Sequence, residues 1–177
     1  MRMKQLNFRT LNANEIDCRI ATINEKGLTL LLYKDARVDQ NILDETVGAY
    51  NWQRHHTRDN ANCIVSIWDE EKKQWVDKED TGTESFTEKE KGLASDSFKR
   101  ACFNWGIGRE LYSAPFIWIS SENAEIKKQG VNGVNKCHDK FIVEQILYEN
   151  KNIVALSIRN ATKNKRVFVM DNRKKND

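Results

Sequence analysis

Residues 87–108 constrain the fold more than any other part of the sequence, because several signals for one long helix coincide there. Thr87 and Glu90 have the T-x-x-E spacing of a capping box, in which a hydroxyl and a carboxylate each satisfy a backbone amide. An apolar stripe then follows at helical spacing: Ala94, Phe98, Ala101, Cys102 and Trp105. Gly106 and Gly108 end the pattern. The segment predicts an amphipathic helix with one buried face.

Strand-like patterns come before and after this helix. Alternation over residues 16–33 with a turn at 24–27 predicts a hairpin, and Asp35 caps a second predicted helix that ends before Gly48. An antiparallel three-stranded meander is predicted from three runs, 52–57, 63–68 and 75–82. After Pro115, the only proline, further strands are predicted at 116–119, 141–148, 153–158 and 166–170.

The fold class expected from this order is α+β. A helix, the three-stranded antiparallel β-meander and the long helix form a β-β-β-α core, and additional C-terminal β-strands follow. We expect residues 1–120 to form the core domain and residues 121–171 to form a β-rich extension of the same domain. Residues 172–177 are expected to be a disordered basic tail.

Composition fits one globular domain, since the chain has 177 residues, of which 39% are hydrophobic. The longest apolar stretch, Gly27 to Tyr33, is much shorter than a membrane span, and no export signal opens the chain. The four cysteines are widely spaced, which favours reduced thiols over a disulfide scaffold or a C-x-x-C metal pair. The expected location is therefore the cytoplasm.

The formal net charge of +3 conceals an uneven distribution. Residues 127–177 carry 12 Lys and Arg against 5 Asp and Glu, whereas residues 1–126 carry 17 against 21. Phosphate binding depends on where cations cluster and not on their sum. Composition alone neither requires nor excludes a nucleic-acid partner.

Candidate catalytic groups are few. His55 and His56 are adjacent on a predicted strand and would point to opposite faces, so structural and solvated roles are favoured over a shared site. Asp77 and Glu79 would share a strand face, as in a two-metal nuclease, but Lys78 would point away from them. A metal-dependent nuclease that uses this acidic hairpin stays open as the alternative function. No phosphate-binding glycine loop occurs, and no catalytic residue, metal ligand or cofactor is predicted.

Lys99 and Arg100 lie on the long helix beside its apolar stripe. A rigid helix with one buried face can present such cations as fixed donors to phosphate oxygens. Asp96 stands four residues before Arg100, so an ordinary solvated ion pair is the competing interpretation, and spacing alone favours it.

Several segments together resemble one family. They are Asp80-x-Gly82-x-Glu84, ASDSFKRAC at 94–102 and WGIGRELY at 105–112. This set resembles the Rad-fifty-two family of single-strand DNA annealing proteins, and PFIWI at 115–119 is similar to its phage and prophage branch. Upstream, KDARV at 34–38 and GAYNW at 48–52 resemble the family's first helix and its exit. The resemblance covers about residues 28–119, roughly half of the chain.

The resemblance implies a protein that is not an enzyme. The implied function is ATP-independent binding of single-stranded DNA and annealing of complementary strands in phage homologous recombination and DNA repair. The implied assembly is a homo-oligomeric ring or helix whose basic groove holds the DNA backbone. The implied partners are single-stranded DNA, the annealed duplex and further copies of the chain, in the cytoplasm of a bacterial host cell and without a membrane.

Site residues also follow from the resemblance. Arg37 resembles the groove arginine of the family's first helix, Tyr50 the aromatic residue near that helix's exit, and Lys99 and Arg100 the lysine-arginine pair of the long helix. Phe103 stands where the family can carry a further arginine. Candidates for the family's outer DNA site are three hairpin lysines, Lys72, Lys73 and Lys78. A passive adaptor without single-strand affinity is the remaining alternative.

Overall fold

A computed structural model describes residues 6–83, 89–131 and 133–173, with residues 89–91 described by their backbone alone. The strands are β1 Asp17–Asn24, β2 Gly27–Tyr33, β3 Trp52–Thr57, β4 Asn62–Asp69, β5 Gln74–Thr81, β6 Ile117–Ser120, β7 Ile126–Gln129, β8 Val134–Cys137, β9 Phe141–Glu149, β10 Asn152–Asn160 and β11 Lys165–Asp171. The α-helices are α1 Ala36–Val47 and α2 Lys89–Trp105, and two short 3-10 helices span Ala13–Glu15 and Arg109–Ser113.

The chain divides into two compact units. The first unit takes its described residues from 1–10 and 35–109, and the second takes them from 11–34 and 110–177. The described chain thus runs from the first unit into the second for one hairpin, returns to the first, and then passes into the second again.

The first unit is a three-stranded antiparallel sheet, ordered β3-β4-β5, with α2 against it. Phe98, Ala101 and Cys102 of α2 are completely buried, as are Cys63 and Val65 of β4. These α2 residues are part of the apolar stripe that predicted the helix, so that prediction is confirmed. The capping box at Thr87 lies outside the described residues.

Gly82 permits the close approach of α2 to the end of β5. A Cβ atom at this position would lie 2.5 Å from the backbone nitrogen of Ser97 and 2.9 Å from the carbonyl oxygen of Leu93. Because both contacts are with helix backbone, no side-chain rotation could relieve them. The glycine therefore fixes how deeply the helix sits on the sheet.

Local signals also define α1. The Asp35 carboxylate caps the helix by accepting a hydrogen bond from the backbone nitrogen of Arg37 at 2.8 Å, and Gly48 follows the last turn with a φ of +86°. Ile42 and Leu43 supply its buried face. The predicted bounds of this helix are confirmed.

The second unit contains a six-stranded sheet ordered β11-β10-β9-β1-β2-β6, with a separate β7-β8 hairpin. All described pairings in both sheets are antiparallel. Completely or almost completely buried side chains from four strands form the core of this unit: Leu28, Leu30, Ile117, Ile119, Val143, Leu156 and Ile158. The hairpin predicted at residues 16–33 is confirmed as β1 and β2, and it joins this sheet.

The predicted fold class is wrong. The described part of the chain holds eleven strands and only two α-helices, so it is mostly β and not an α+β chain built on a β-β-β-α core. Six of the strands form the sheet of the second unit, which joins the N-terminal hairpin to the C-terminal strands through Asp17 of β1 and Ile142 of β9. Alternation identifies a strand but not its partner, and this pairing is far apart in sequence.

Two further global features concern cysteines and membranes. All four cysteines are free thiols. Within the described ranges, neither α-helix combines the length and the hydrophobicity that a transmembrane helix needs.

Candidate functional site

Three elements of the first unit meet at one pair of aromatic rings. The Trp52 indole of β3 stacks on Phe98 of α2, with 6.1 Å between ring centroids. Its Nε1 donates a hydrogen bond of 2.6 Å to the Asp44 carboxylate in the last turn of α1. This junction fixes the start of β3 relative to both helices.

Arg54 lies two residues further along β3 and so projects from the same face of the strand as Trp52. Its guanidinium lies over the Phe98 ring, 4.9 Å from the ring centroid. The side chain is exposed and forms no ion pair with any residue that the structure describes. An arginine held on one face by a ring keeps its edge donors for a planar anion.

Lys99 follows Phe98 directly on α2 and is half-buried. Within the described ranges its ammonium forms no ion pair, although its charge contributes to lowering the pKa of Asp35 and of Asp96. The pKa of Asp35 is lowered first by hydrogen bonds from Arg37 and further by Lys99. We call the region formed by Trp52, Arg54, Phe98 and Lys99 the α2–β3 surface.

Arg100 forms the ion pair expected from its spacing, with Nε 3.2 Å from an Asp96 carboxylate oxygen. The same oxygen accepts hydrogen bonds from the backbone nitrogen of Thr83 at 2.8 Å and from its hydroxyl at 3.2 Å. Burial raises the pKa of Asp96, but these bonds and the charges of Lys99 and Arg100 together hold it below its usual value. Asp96 is thus committed to the residues after β5, and Arg100 keeps only part of its donor set.

Arg37 and Tyr50 stand at the two ends of α1. Arg37 is bound by its own cap, because Nε and Nη2 donate to the two oxygens of Asp35 at 2.9 and 3.3 Å. This bond raises the pKa of Arg37. Tyr50, between α1 and β3, is 97% exposed, so its ring is available for stacking.

The three hairpin lysines are all engaged within the first unit. Lys72 pairs with Asp69 at 3.2 Å and Lys73 pairs with Glu70 in the β4–β5 turn. Lys78 instead points toward α2, where its Nζ donates to the carbonyl oxygen of Asn104 at 2.8 Å and lies over the Trp105 ring. The structure therefore separates Lys78 from the other two lysines.

A cation, Arg109, also lies over the Phe103 ring. The Arg109 guanidinium lies 5.4 Å from the centroid of the Phe103 ring and donates to the carbonyl oxygens of Phe103 and Asn104. Lys78 and Arg109 thus both donate to the carbonyl oxygen of Asn104 at the C-terminal end of α2, which is where a helix attracts positive charge.

The histidines and the acidic hairpin do not converge. His56 is half-buried and lies 3.4 Å from the Ser97 hydroxyl, whereas His55 is exposed. Burial, followed by the charges of Arg54 and His55, lowers the pKa of His56. The Asp80 carboxylate accepts a hydrogen bond from Asn104 at 3.1 Å on the α2 side of β5.

Asp77 and Glu79 lie an odd number of residues from Asp80 on β5, so their side chains are on the face of the sheet opposite to Asp80. Among the described residues there is no group of three or more His, Cys, Asp or Glu side chains that could hold a metal ion.

Sequence reasoning missed Arg54. It assigned residues 52–57 to a strand but took its candidate DNA-binding residues from the helices, the exit of α1 and the hairpin lysines. The available signal was the Trp52-x-Arg54-x-His56 alternation, which places all three side chains on one face. That this face is the one against α2 could not be read from the alternation.

Comparison with known proteins identified no similar protein. A scan against protein-family models, a search of curated proteins and a search of solved structures each found no match.

Proposed function

We propose that this chain binds single-stranded DNA on the α2–β3 surface and anneals complementary strands without ATP, as a homo-oligomer. The observation that carries the proposal is the Arg54 guanidinium held over the Phe98 ring, with a second cation, Lys99, next to Phe98 along α2. Arg54 and Lys99 are fixed by strand and helix, and neither is held by a carboxylate in the described part of the chain.

Phosphate neutralisation is the chemistry that these residues suit. Arg54 offers a planar fork of donors and Lys99 a point charge, and neither reads a base. Tyr50 adds an exposed ring on which a base can stack without sequence preference. Arg37 and Arg100 extend the same surface in the proposal, each with a carboxylate already bound.

Assembly into a homo-oligomer would strengthen the weak DNA binding of a single copy. The first unit is not basic overall, since residues 1–10 and 35–109 carry 14 Lys and Arg against 15 Asp and Glu. Two unpaired cations in one copy give a weak contact, but many copies side by side make binding of one strand multivalent. The proposal therefore includes a homo-oligomer, as the resemblance to the Rad-fifty-two family implies.

The test is an annealing assay with two complementary oligonucleotides, one carrying a donor fluorophore and the other an acceptor. We expect the full chain to accelerate annealing in EDTA and without ATP, because the proposed chemistry uses neither a metal ion nor a nucleotide. Native mass spectrometry on the same sample is expected to show a multimer that binds the oligonucleotide.

Two results would contradict the proposal. One is an annealing rate equal to that of the oligonucleotides alone. The other is cleavage of a labelled strand in magnesium that is lost in Asp77→Ala, which would favour the nuclease alternative. Asp77→Ala is expected to leave annealing in EDTA unchanged, provided that its thermal unfolding matches that of the parent chain.

A further inference from the structure

A cluster of large apolar side chains is exposed on one face of the second unit's sheet. The register places Trp118 of β6 opposite Thr29 of β2, and Leu31 and Tyr33 follow on the same face. Continuing this register by one residue brings Phe116 beside Leu31. The side chains are exposed by 77% at Phe116, 51% at Leu31, 42% at Tyr33 and 37% at Trp118. We call these four residues the β2–β6 platform.

The platform is rigid at Trp118. A Cβ atom at Gly27 would lie 2.5 Å from the Trp118 ring, so the indole rests directly on the backbone of β2. The residues that alternate with the platform, Leu28, Leu30, Ile117 and Ile119, are buried beneath it. A ring fixed in this way offers its outer surface with little loss of side-chain entropy on binding.

One exposed cation, Arg19, lies beside these rings. Arg19 of β1 lies directly opposite Leu31, is exposed, and forms no ion pair with a described residue. Thr29 of β2 lies opposite Trp118, and its hydroxyl is 2.6 Å from the hydroxyl of Thr22 on β1. Asp17, opposite Tyr33, bounds the cluster toward β9.

The second unit as a whole is basic. Residues 11–34 and 110–177 carry 15 Lys and Arg against 11 Asp and Glu, in contrast to the slightly acidic first unit. An exposed apolar patch of this kind marks a place where something binds. An anionic partner with flat apolar groups matches both the rings and the charge.

We propose that the β2–β6 platform is a separate single-stranded DNA surface, on which unpaired bases stack on Phe116, Trp118 and Tyr33 while Arg19 contacts the backbone. Aromatic rings on a sheet face with a nearby cation bind single strands through the π-face that every base has. The surface is distinct from the α2–β3 surface, because every residue in it belongs to the other unit. In an annealing protein it would hold a stretch of strand with its bases stacked.

The test is photo-crosslinking to an oligothymidylate that carries 5-iododeoxyuridine, followed by mass spectrometry of the peptides. The expected result is adducts at Phe116, Trp118 or Tyr33. They are also expected in the Arg54→Gln, Lys99→Gln double variant when the DNA concentration is high enough to restore binding. Adducts that persist there while annealing fails would support the platform independently of the proposed function.

Affinity measurements provide the matched comparison. Phe116→Ala with Tyr33→Leu is expected to weaken oligothymidylate binding by about tenfold, which is within the range for loss of base stacking. Val169→Ala changes a residue of β11 that is 63% exposed on the same sheet, and it is expected to leave the affinity unchanged. Arg19→Gln tests the surface without altering a ring and is expected to make binding less dependent on salt.

Two outcomes would overturn the inference. The first is an adduct pattern confined to the first unit in the parent chain. The second is that Phe116→Ala with Tyr33→Leu lowers the mass of the multimer but leaves the affinity per subunit unchanged, which would make the platform a contact between copies. Circular dichroism of each variant ensures that a loss of binding reflects the surface and not unfolding.

Discussion

The α2–β3 surface and the β4–β5 turn each carry two cationic side chains, but only the turn supplies a carboxylate for each of them. Lys72 and Lys73 are paired with Asp69 and Glu70, three residues earlier in each case. Arg54 is held by an aromatic ring instead, and Lys99 follows that ring in the helix. The difference lies in what fixes the cation, because a ring leaves the charge available and a carboxylate neutralises it.

This contrast separates two kinds of basic residue. A lysine paired with a nearby acid must give up that partner before it binds a phosphate, so its net contribution is small. A cation that packing already orders loses less entropy and keeps its charge. The number of basic residues in a segment is therefore a poor guide to its affinity for DNA.

The largest expected effect comes from removing the two unpaired cations. Arg54→Gln with Lys99→Gln is expected to weaken binding of a single-stranded oligonucleotide by at least about tenfold, because two charge-assisted contacts are lost. Fluorescence anisotropy at low salt measures the change. Arg54→Lys serves as the control that keeps the charge and loses the planar fork, and it is expected to fall between parent and double variant. Equal affinities for all three proteins would remove the distinction between the two regions.

A smaller effect is expected from the turn. Lys72→Gln with Lys73→Gln removes the same formal charge from the same unit, so it is the matched control for the double variant above. We expect the affinity to change by less than about twofold, since each ammonium is already neutralised by its neighbour. The same anisotropy titration decides the point. A loss as large as that of the Arg54 and Lys99 pair would show that total charge, and not pairing, governs binding.

The smallest effect concerns the pH dependence of stability at His56, two residues after Arg54 on β3. The pKa of His56 is lowered by burial and then by Arg54 and His55, so the folded chain binds a proton there less readily than the unfolded chain does. Stability from the neutral imidazole is complete above the unfolded pKa of about 6.5 and is lost as pH falls through that value toward the folded pKa.

Thermal melts of the parent chain and His56→Gln measure this contribution. We expect the difference between their melting temperatures to shift by about one or two degrees between pH 7.5 and pH 5.5, with the parent losing more on acidification. The β4–β5 turn contains no histidine, so Lys72→Gln with Lys73→Gln is expected to leave the shift unchanged. If the parent chain instead gained stability relative to His56→Gln on acidification, the prediction that folding lowers the pKa of His56 would be contradicted.

Local structure was largely predictable from the sequence, because it depends on neighbouring residues. Asp35 and Gly48 bound α1, and the stripe that includes Phe98 identified the buried face of α2. The meander of β3, β4 and β5 also followed from alternation and turn residues. The fold class did not follow, because the pairing of β1 with β9 joins segments far apart in the chain.

The contacts of the candidate site also fall into two groups, those that local spacing predicts and those that depend on the packed fold. The pair between Asp96 and Arg100 was predictable from helical spacing. The contact of Arg54 with Phe98 was not, because it requires the sheet and α2 to be packed first. The hydrogen bond from Lys78 to the carbonyl oxygen of Asn104 has the same origin, and it explains why a lysine proposed for an outer DNA site is half-buried.

The salt dependence of single-strand affinity tests the central claim most directly, because it counts neutralised phosphates. The logarithm of the association constant is plotted against the logarithm of the salt concentration for the parent chain and for Arg54→Gln with Lys99→Gln. If both side chains contact phosphates, the slope of the double variant is shallower by about 1.4, since each contact on a single strand contributes about 0.7. Parallel lines with the same slope would contradict the assignment of DNA binding to the α2–β3 surface.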